Sequence, residues 1–171
     1  MKRPVCISLV VLLIFALCSC ESHTKSILVP VTFYYRTTDI EFGTRSGVIT
    51  SEIREARGHA EEYQYIIEQY LNGPKSSGCI SPFPAGTTLE ALSLDNNKVY
   101  IMLSPHLAIL TGSDLMIACA CLTKTVLELT GVKSVQISAE NRLLNNEESI
   151  TMTAASFAYW DDSIDFTVHS R

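Results

Sequence analysis

Leu89-Glu90-Ala91-Leu92-Ser93-Leu94-Asp95-Asn96-Asn97-Lys98-Val99-Tyr100-Ile101-Met102-Leu103-Ser104 is the stretch that decides the fold. Two alternating segments, Leu89 to Leu94 and Val99 to Ser104, flank Asp95-Asn96-Asn97-Lys98, whose short polar side chains tolerate left-handed turn conformations. The pattern predicts a β-hairpin with Val99, Ile101 and Leu103 on one face. Downstream, Ser113 or Asp114 can cap a helix on which Leu115, Ala118, Cys119, Leu122, Val126 and Leu129 recur at spacings of three and four, and Gly131 ends it. Val135, Ile137 and Ala139 then alternate with Gln136, Ser138 and Glu140 as a further strand.

Upstream, Val29, Val31, Phe33 and Tyr35 alternate with Pro30, Thr32, Tyr34 and Arg36, which predicts a first strand with one face on the core. A second strand within Phe42 to Ile53 pairs back on it after the turn-prone Thr37-Thr38-Asp39 and Gly43. From about Ala60 the period becomes helical, with Ala60, Tyr63, Ile67, Tyr70 and Leu71 near one face and Glu61 and Glu62 in the first turn, until Gly73-Pro74 stops it. Pro74 to Thr88, with Gly78, Pro82, Pro84 and Gly86, reads as an ordered loop. The order β-β-α-β-β-α-β predicts one small α+β domain, a mixed sheet with two helices packed on it.

The 171 residues suit one domain, and 47% apolar content excludes bulk disorder. With 13 Lys+Arg against 18 Asp+Glu and no basic run, a nucleic-acid partner is not expected. Met1-Lys2-Arg3 precedes 13 uncharged residues, Val5 to Leu17, shorter than the ~20 that a membrane-spanning helix needs. Residues 1–19 therefore read as a signal sequence. Leu17-Cys18-Ser19-Cys20 is similar to a bacterial lipobox, which makes Cys20 the lipidated first residue of the mature chain and residues 20–28, with the polar run 21–26, the anchor and spacer. Cleavage to a freely secreted form is the alternative. Loss of residues 1–19 takes Lys2 and Arg3 with it and leaves 11 basic against 18 acidic residues, a net charge of −7. Attachment must then come from lipid, because an anionic surface repels such a domain.

Cys79, Cys119 and Cys121 remain for the folded part. Small apolar packing is expected of Cys119, and one disulfide from Cys79 to Cys119 or Cys121 is the alternative. On a helix, Cys-Ala-Cys turns its thiols about 200° apart, and His23, His59, His106 and His169 are scattered, so no metal site is expected. Ser104, His106 and Asp114 lie close in sequence but without a nucleophile elbow, which ranks a hydrolase last. The carboxylate pairs Glu61-Glu62, Glu147-Glu148 and Asp161-Asp162 are neighbours whose side chains point apart. No cofactor is implied.

The chain resembles the GerMN domain family of bacterial sporulation, germination and other cell-envelope lipoproteins. The residues that match are Tyr70-Leu71-Asn72-Gly73-Pro74, Ser81-Pro82-Phe83-Pro84-Ala85-Gly86-Thr87-Thr88-Leu89, Val99 to Ser104, Gly112-Ser113 and Leu129 to Ile137, over about residues 29–141. Met102 stands where the family often has Asp. The resemblance implies a domain similar to ring-building modules, acting through protein contacts at the envelope without known catalysis. Many relatives have two copies of the domain, and this chain has one.

Residues 29–141 are thus expected to form the domain and 142–171 a C-terminal extension, either packed over the core or presenting an aromatic, acidic docking patch around Trp160-Asp161-Asp162. The expected activity is non-catalytic binding of another envelope protein by a lipid-anchored extracytoplasmic domain. A peptidoglycan, glycan or small-ligand module is the second reading. Tyr34, Tyr100 and Trp160 grouped in a concave groove would favour glycan, and a flat apolar or acidic patch would favour protein.

Overall fold

A computed structural model describes residues 28–38, 47–57 and 62–157. Strands β1 (Leu28–Thr37) and β2 (Ile49–Arg57) pair antiparallel from Leu28 opposite Arg57 to Arg36 opposite Ile49. The alternation expected of β1 puts Val31, Phe33 and Tyr35 in the core. A two-residue strand, β3 (Cys79–Ile80), joins the other side of β1 at Arg36 and Thr37. Between them in sequence, helix α1 (Tyr63–Leu71) buries Ile66, Ile67 and Tyr70.

The predicted hairpin forms as β4 (Leu89–Asp95) and β5 (Lys98–Leu103). Asn96 takes the left-handed conformation (φ +50°) that a two-residue hairpin turn demands. A 3₁₀ turn (Pro105–Ile109) and helix α2 (Gly112–Thr130) carry the chain over to β6 (Ser134–Ala139), parallel to β5. Strand β7 (Ile150–Thr153) then runs antiparallel to β6, and a 3₁₀ turn (Ala154–Phe157) follows. Ser113 and Asp114 lie inside the first turn of α2, and the N-cap position is Thr111, without a side-chain cap bond. Gly131 (φ +71°) ends the helix as expected, its N–H reaching Leu127 O at 2.8 Å.

The α+β class and the order of the seven predicted elements are as the sequence predicts, but β3 forms within the stretch read as a loop, β7 within the stretch read as an extension, and the strands divide between two sheets, β2-β1-β3 and β4-β5-β6-β7. The reason lies in α2. Besides the expected stripe, Ile117, Ala120, Cys121, Thr123 and Thr125 are also buried, and the helix touches β1 on one side and β6 and β7 on another. A helix apolar nearly all round is a buried helix, and Ala118-Cys119-Ala120-Cys121 is slim enough to let backbone approach from more than one side. Tyr34 N–H donates to Thr125 Oγ1 (3.0 Å), and Thr125 Oγ1 donates back to Cys121 O (3.0 Å), which ties α2 to β1. The second sheet continues past residue 141: Leu144 and Met152 are fully buried, and β7 is its fourth strand. No helix among the described residues is long and apolar enough to cross a membrane.

Candidate functional site

The stop after α1 is built by an ion pair that the sequence reading did not find. On β2, Glu52 and Arg54 stand opposite Phe33 and Val31, so both side chains point to the core face. They pair with each other, their side chains only 9% and 11% exposed. Arg54 donates to Gln69 O (3.1 Å), Gly73 O (2.7 Å) and the Tyr35 hydroxyl (2.8 Å), and its guanidinium lies 4.7 Å from the Phe33 ring centre. A cation thus meets the carbonyl end of α1, where the helix dipole is negative. Glu52 accepts the backbone N–H groups of Lys75 (3.0 Å) and Ser76 (2.7 Å). Gly73 holds φ +91°, a conformation other residues adopt at a cost, which accounts for Asn72-Gly73-Pro74 at this point.

Tyr35 and Tyr70 stack at 4.9 Å beside the pair. Their hydroxyls donate to Tyr70 O (3.0 Å) and Tyr34 O (2.6 Å), and burial holds both phenols above their ordinary range as neutral donors. Burial alone would raise the Glu52 carboxyl, but the N–H groups of Ser76 and Lys75 and the Arg54 guanidinium outweigh it and hold the group below its ordinary 4.5. A depressed folded-state value means that the carboxylate stabilises the fold above pH 4.5 and that this contribution disappears as pH falls through the folded value. Thermal melting as a function of pH should therefore drop more steeply below pH 4.5 in the wild type than in Glu52→Gln, and parallel curves would contradict the assignment.

A second support fixes the proline-rich loop. Thr88 N–H donates to Ser104 Oγ (3.0 Å) and Ser104 N–H donates to Thr88 O (2.9 Å), a two-way latch between the loop's end and the end of β5. Ser104 Oγ also meets His106 Nδ1 at 3.2 Å. Gly86, at φ +85°, lies under the His106 ring, where a Cβ would come within 3.5 Å of Nε2. Phe83 turns its ring edge-on to Tyr70 at 5.7 Å. Asp114 is drawn away to Arg36 at 3.1 Å, so Ser104, His106 and Asp114 do not assemble as a triad, and Ser104 is buried.

The clamp bonds Gly73, Lys75 and Ser76 and the latch bonds Thr88, at the two ends of the loop, and residues between them line an open cleft of about 440 Å³. Ile80, Pro82 and Pro84 line one wall, Ile109 ends the 3₁₀ turn and Leu110 caps it, and the Arg36–Asp114 pair lies among them. Ile80 is 48% and Ile109 69% exposed, two large apolar side chains presented to one cleft. Thr37, Thr38 and Ser81 add hydroxyls.

Of the residues singled out in the sequence, Tyr34 lies against α2: its hydroxyl donates to Glu128 Oε2 (2.6 Å) and Lys124 Nζ sits 4.5 Å from its ring centre. Tyr100 is on the outward face of the second sheet beside Lys98 (5.3 Å). The two tyrosines do not meet. Cys20, Trp160, Asp161 and Asp162 lie outside the described residues. Cys79, Cys119 and Cys121 are all buried free thiols, and burial pushes the Cys119 and Cys121 thiols up to about 12. Among the described residues no cluster of His, Cys, Asp or Glu could hold a metal ion. Ile80 and Ile109 were beyond sequence reasoning because their exposure follows from how two distant loops meet.

Two sheets around a buried helix, with the proline-rich loop latched to the second sheet, define a small α+β domain of recognisable kind. The chain belongs to the Germane family, described as sporulation and spore germination, which matches residues 32–145. The fold is similar to the tandem GerMN domains of the sporulation protein GerM from Bacillus subtilis (15% identity, TM-score 0.57, covering 81% of this chain and 50% of that one). It is also similar to the first GerMN domain of that protein alone (15% identity, TM-score 0.50, covering 66% and 84%). A chain provisionally described as a lipoprotein from Clostridium perfringens aligns at 18% identity and a TM-score of 0.48, covering 75% and 89%. No curated protein matches the sequence.

Proposed function

We propose that this protein is a lipid-anchored, extracytoplasmic Germane-domain protein that acts at the cell envelope in sporulation or germination, without bond-making chemistry, by binding another envelope protein. Cys20 is the acylated residue, and the cleft beside the proline-rich loop is the contact surface. The observation behind this reading is the pair Ile80 and Ile109, exposed in one open cleft, with Ile80 on a loop tied at its ends by the Glu52–Arg54 clamp and the Thr88–Ser104 latch. A rigid apolar surface with a polar edge is what a protein partner buries at the centre of an interface. The polar groups most capable of chemistry, Ser104, His106, Glu52 and Arg54, are bonded to the domain itself.

Protein ranks ahead of glycan because Tyr34 is held by Glu128 and Lys124 instead of joining Tyr100 in an aromatic groove. Ile109→Glu is expected to lower capture of the partner in a crosslinking pull-down from intact cells by about ten-fold or more, the scale of a lost apolar anchor. Thermal stability should be unchanged, since Ile109 is exposed. Undiminished capture would remove the cleft from the interface.

A further inference from the structure

Asn72-Gly73 is the one place in the chain where glycine follows asparagine. The pair matters chemically because the backbone N of the following residue can attack an asparagine side chain, and glycine, without a Cβ, leaves that approach open. A bond forms between Gly73 N and Asn72 Cγ, the Cγ–Nδ2 bond breaks, and ammonia leaves with the proton that Gly73 N gives up. Water then opens the five-membered ring at either carbonyl. The products are aspartate and isoaspartate, the second with its backbone routed through the side chain. Asn96, Asn97, Asn141, Asn145 and Asn146 each precede a residue whose side chain crowds the same attack.

In the folded domain the reacting atoms are held apart. Asn72 is exposed and has ψ −4°, which eclipses Gly73 N with the backbone N of Asn72 itself and turns it away from the Cβ that ring closure must bring alongside. Gly73 N–H donates to Tyr70 O (3.1 Å), a carbonyl that the Tyr35 hydroxyl also engages (3.0 Å), and Gly73 O accepts from Arg54 (2.7 Å). Rotation about the Cα–C bond of Asn72 breaks the first of these bonds and pulls Gly73 off the guanidinium. We propose that Asn72 is a deamidation site which the Glu52–Arg54 clamp keeps closed, with water as the only co-reactant. Either product leaves a carboxylate at the carbonyl end of α1, where the helix dipole is already negative, and isoaspartate also lengthens the backbone by a methylene inside the clamp. The reaction thus loosens the turn that carries Lys75 and Ser76 toward Ile80. It goes beyond the envelope-partner reading and does not rest on it, because it needs only the clamp.

The test is peptide mapping by mass spectrometry, with isoaspartate resolved from aspartate by chromatography, of the mature chain carrying Cys20→Ala during incubation in warm, mildly alkaline buffer. In the urea-unfolded chain Asn72 is expected to react ahead of every other asparagine. In the native chain it should react about ten-fold more slowly or less, because the ring closes only through an opened turn. Arg54→Ala should raise the native rate about ten-fold, and Arg36→Ala, which loses an exposed ion pair away from the clamp, should leave it unchanged. Arg54→Lys, whose compact ammonium lacks the fork that holds Gln69 O and Gly73 O together, changes the rate in the same direction and serves in place of Arg54→Ala if that variant does not fold. Equal rates in the native and unfolded chain, a native rate indifferent to replacement of Arg54, an equal rise with Arg36→Ala, or another asparagine leading in urea would each overturn the proposal.

Discussion

Cys20→Ala is expected to move the protein from the membrane pellet to the soluble fraction almost completely. A single acyl chain of myristoyl length gives only reversible binding, on the order of 10⁴ M⁻¹, and each further buried methylene adds ~0.8 kcal/mol, so two or more chains raise membrane partition by many orders of magnitude. The mature chain proposed here, residues 20–171, has 11 basic and 18 acidic residues, a net charge of −7 that an anionic surface repels. No described helix can span a bilayer. Residue 20 precedes β1, so the domain of the variant should melt at the wild-type temperature. Fractionation of cells expressing both forms decides the matter: a variant that stays in the pellet contradicts acylation at Cys20.

Arg54→Ala is expected to cost about 3 kcal/mol of folding stability, the low end of the range seen when one member of a buried ion pair is removed, because Glu52 keeps the N–H groups of Lys75 and Ser76. Three separate losses underlie the size. The Glu52 carboxylate loses its cation, Gln69 O and Gly73 O at the end of α1 lose their charged donor, and the Phe33 ring loses the guanidinium that covers it. Single domains are stable by only about 5–15 kcal/mol in total, so the variant should sit near the edge of folding. Urea denaturation of the two proteins measures the difference. A loss under about 1 kcal/mol would show that the clamp is a surface pair in energetic terms. Replacing Glu52 and Arg54 together by apolar residues of similar volume should recover a large part of the loss, because no buried charge is then left alone.

Periodicity made most elements legible. The alternation in Val31, Phe33 and Tyr35, the hairpin about Asn96, and the stop at Gly131 follow from backbone geometry that a few residues impose locally. The division into two sheets was not legible, because a helix touched from several sides differs from an amphipathic one only in lacking a polar face, and Ala118-Cys119-Ala120-Cys121 gives no such contrast. The clamp was hidden for a related reason. Glu52 and Arg54 look like ordinary edge-strand charges, and only the pairing of β2 with β1 shows that they point inward, a known protection of sheet edges. The resemblance marked Asn72-Gly73-Pro74 and the proline-rich loop. Their physical reason, the carbonyls offered to Arg54 and the latch to Ser104, needed coordinates. Whether Tyr34 and Tyr100 share a groove was equally illegible, because residues on separate sheets have no sequence signal of their distance.

The central claim is that this domain works by its proline-loop cleft, as a contact surface for another envelope protein. A photoreactive residue placed at position 109 in intact cells, with position 53 as control, measures that directly, since Ile53 is equally exposed (71% against 69%) but lies on β2 outside the cleft. The account predicts a discrete adduct with one envelope protein from position 109 and none from position 53. Adducts of equal yield from both positions, or from neither, would contradict it.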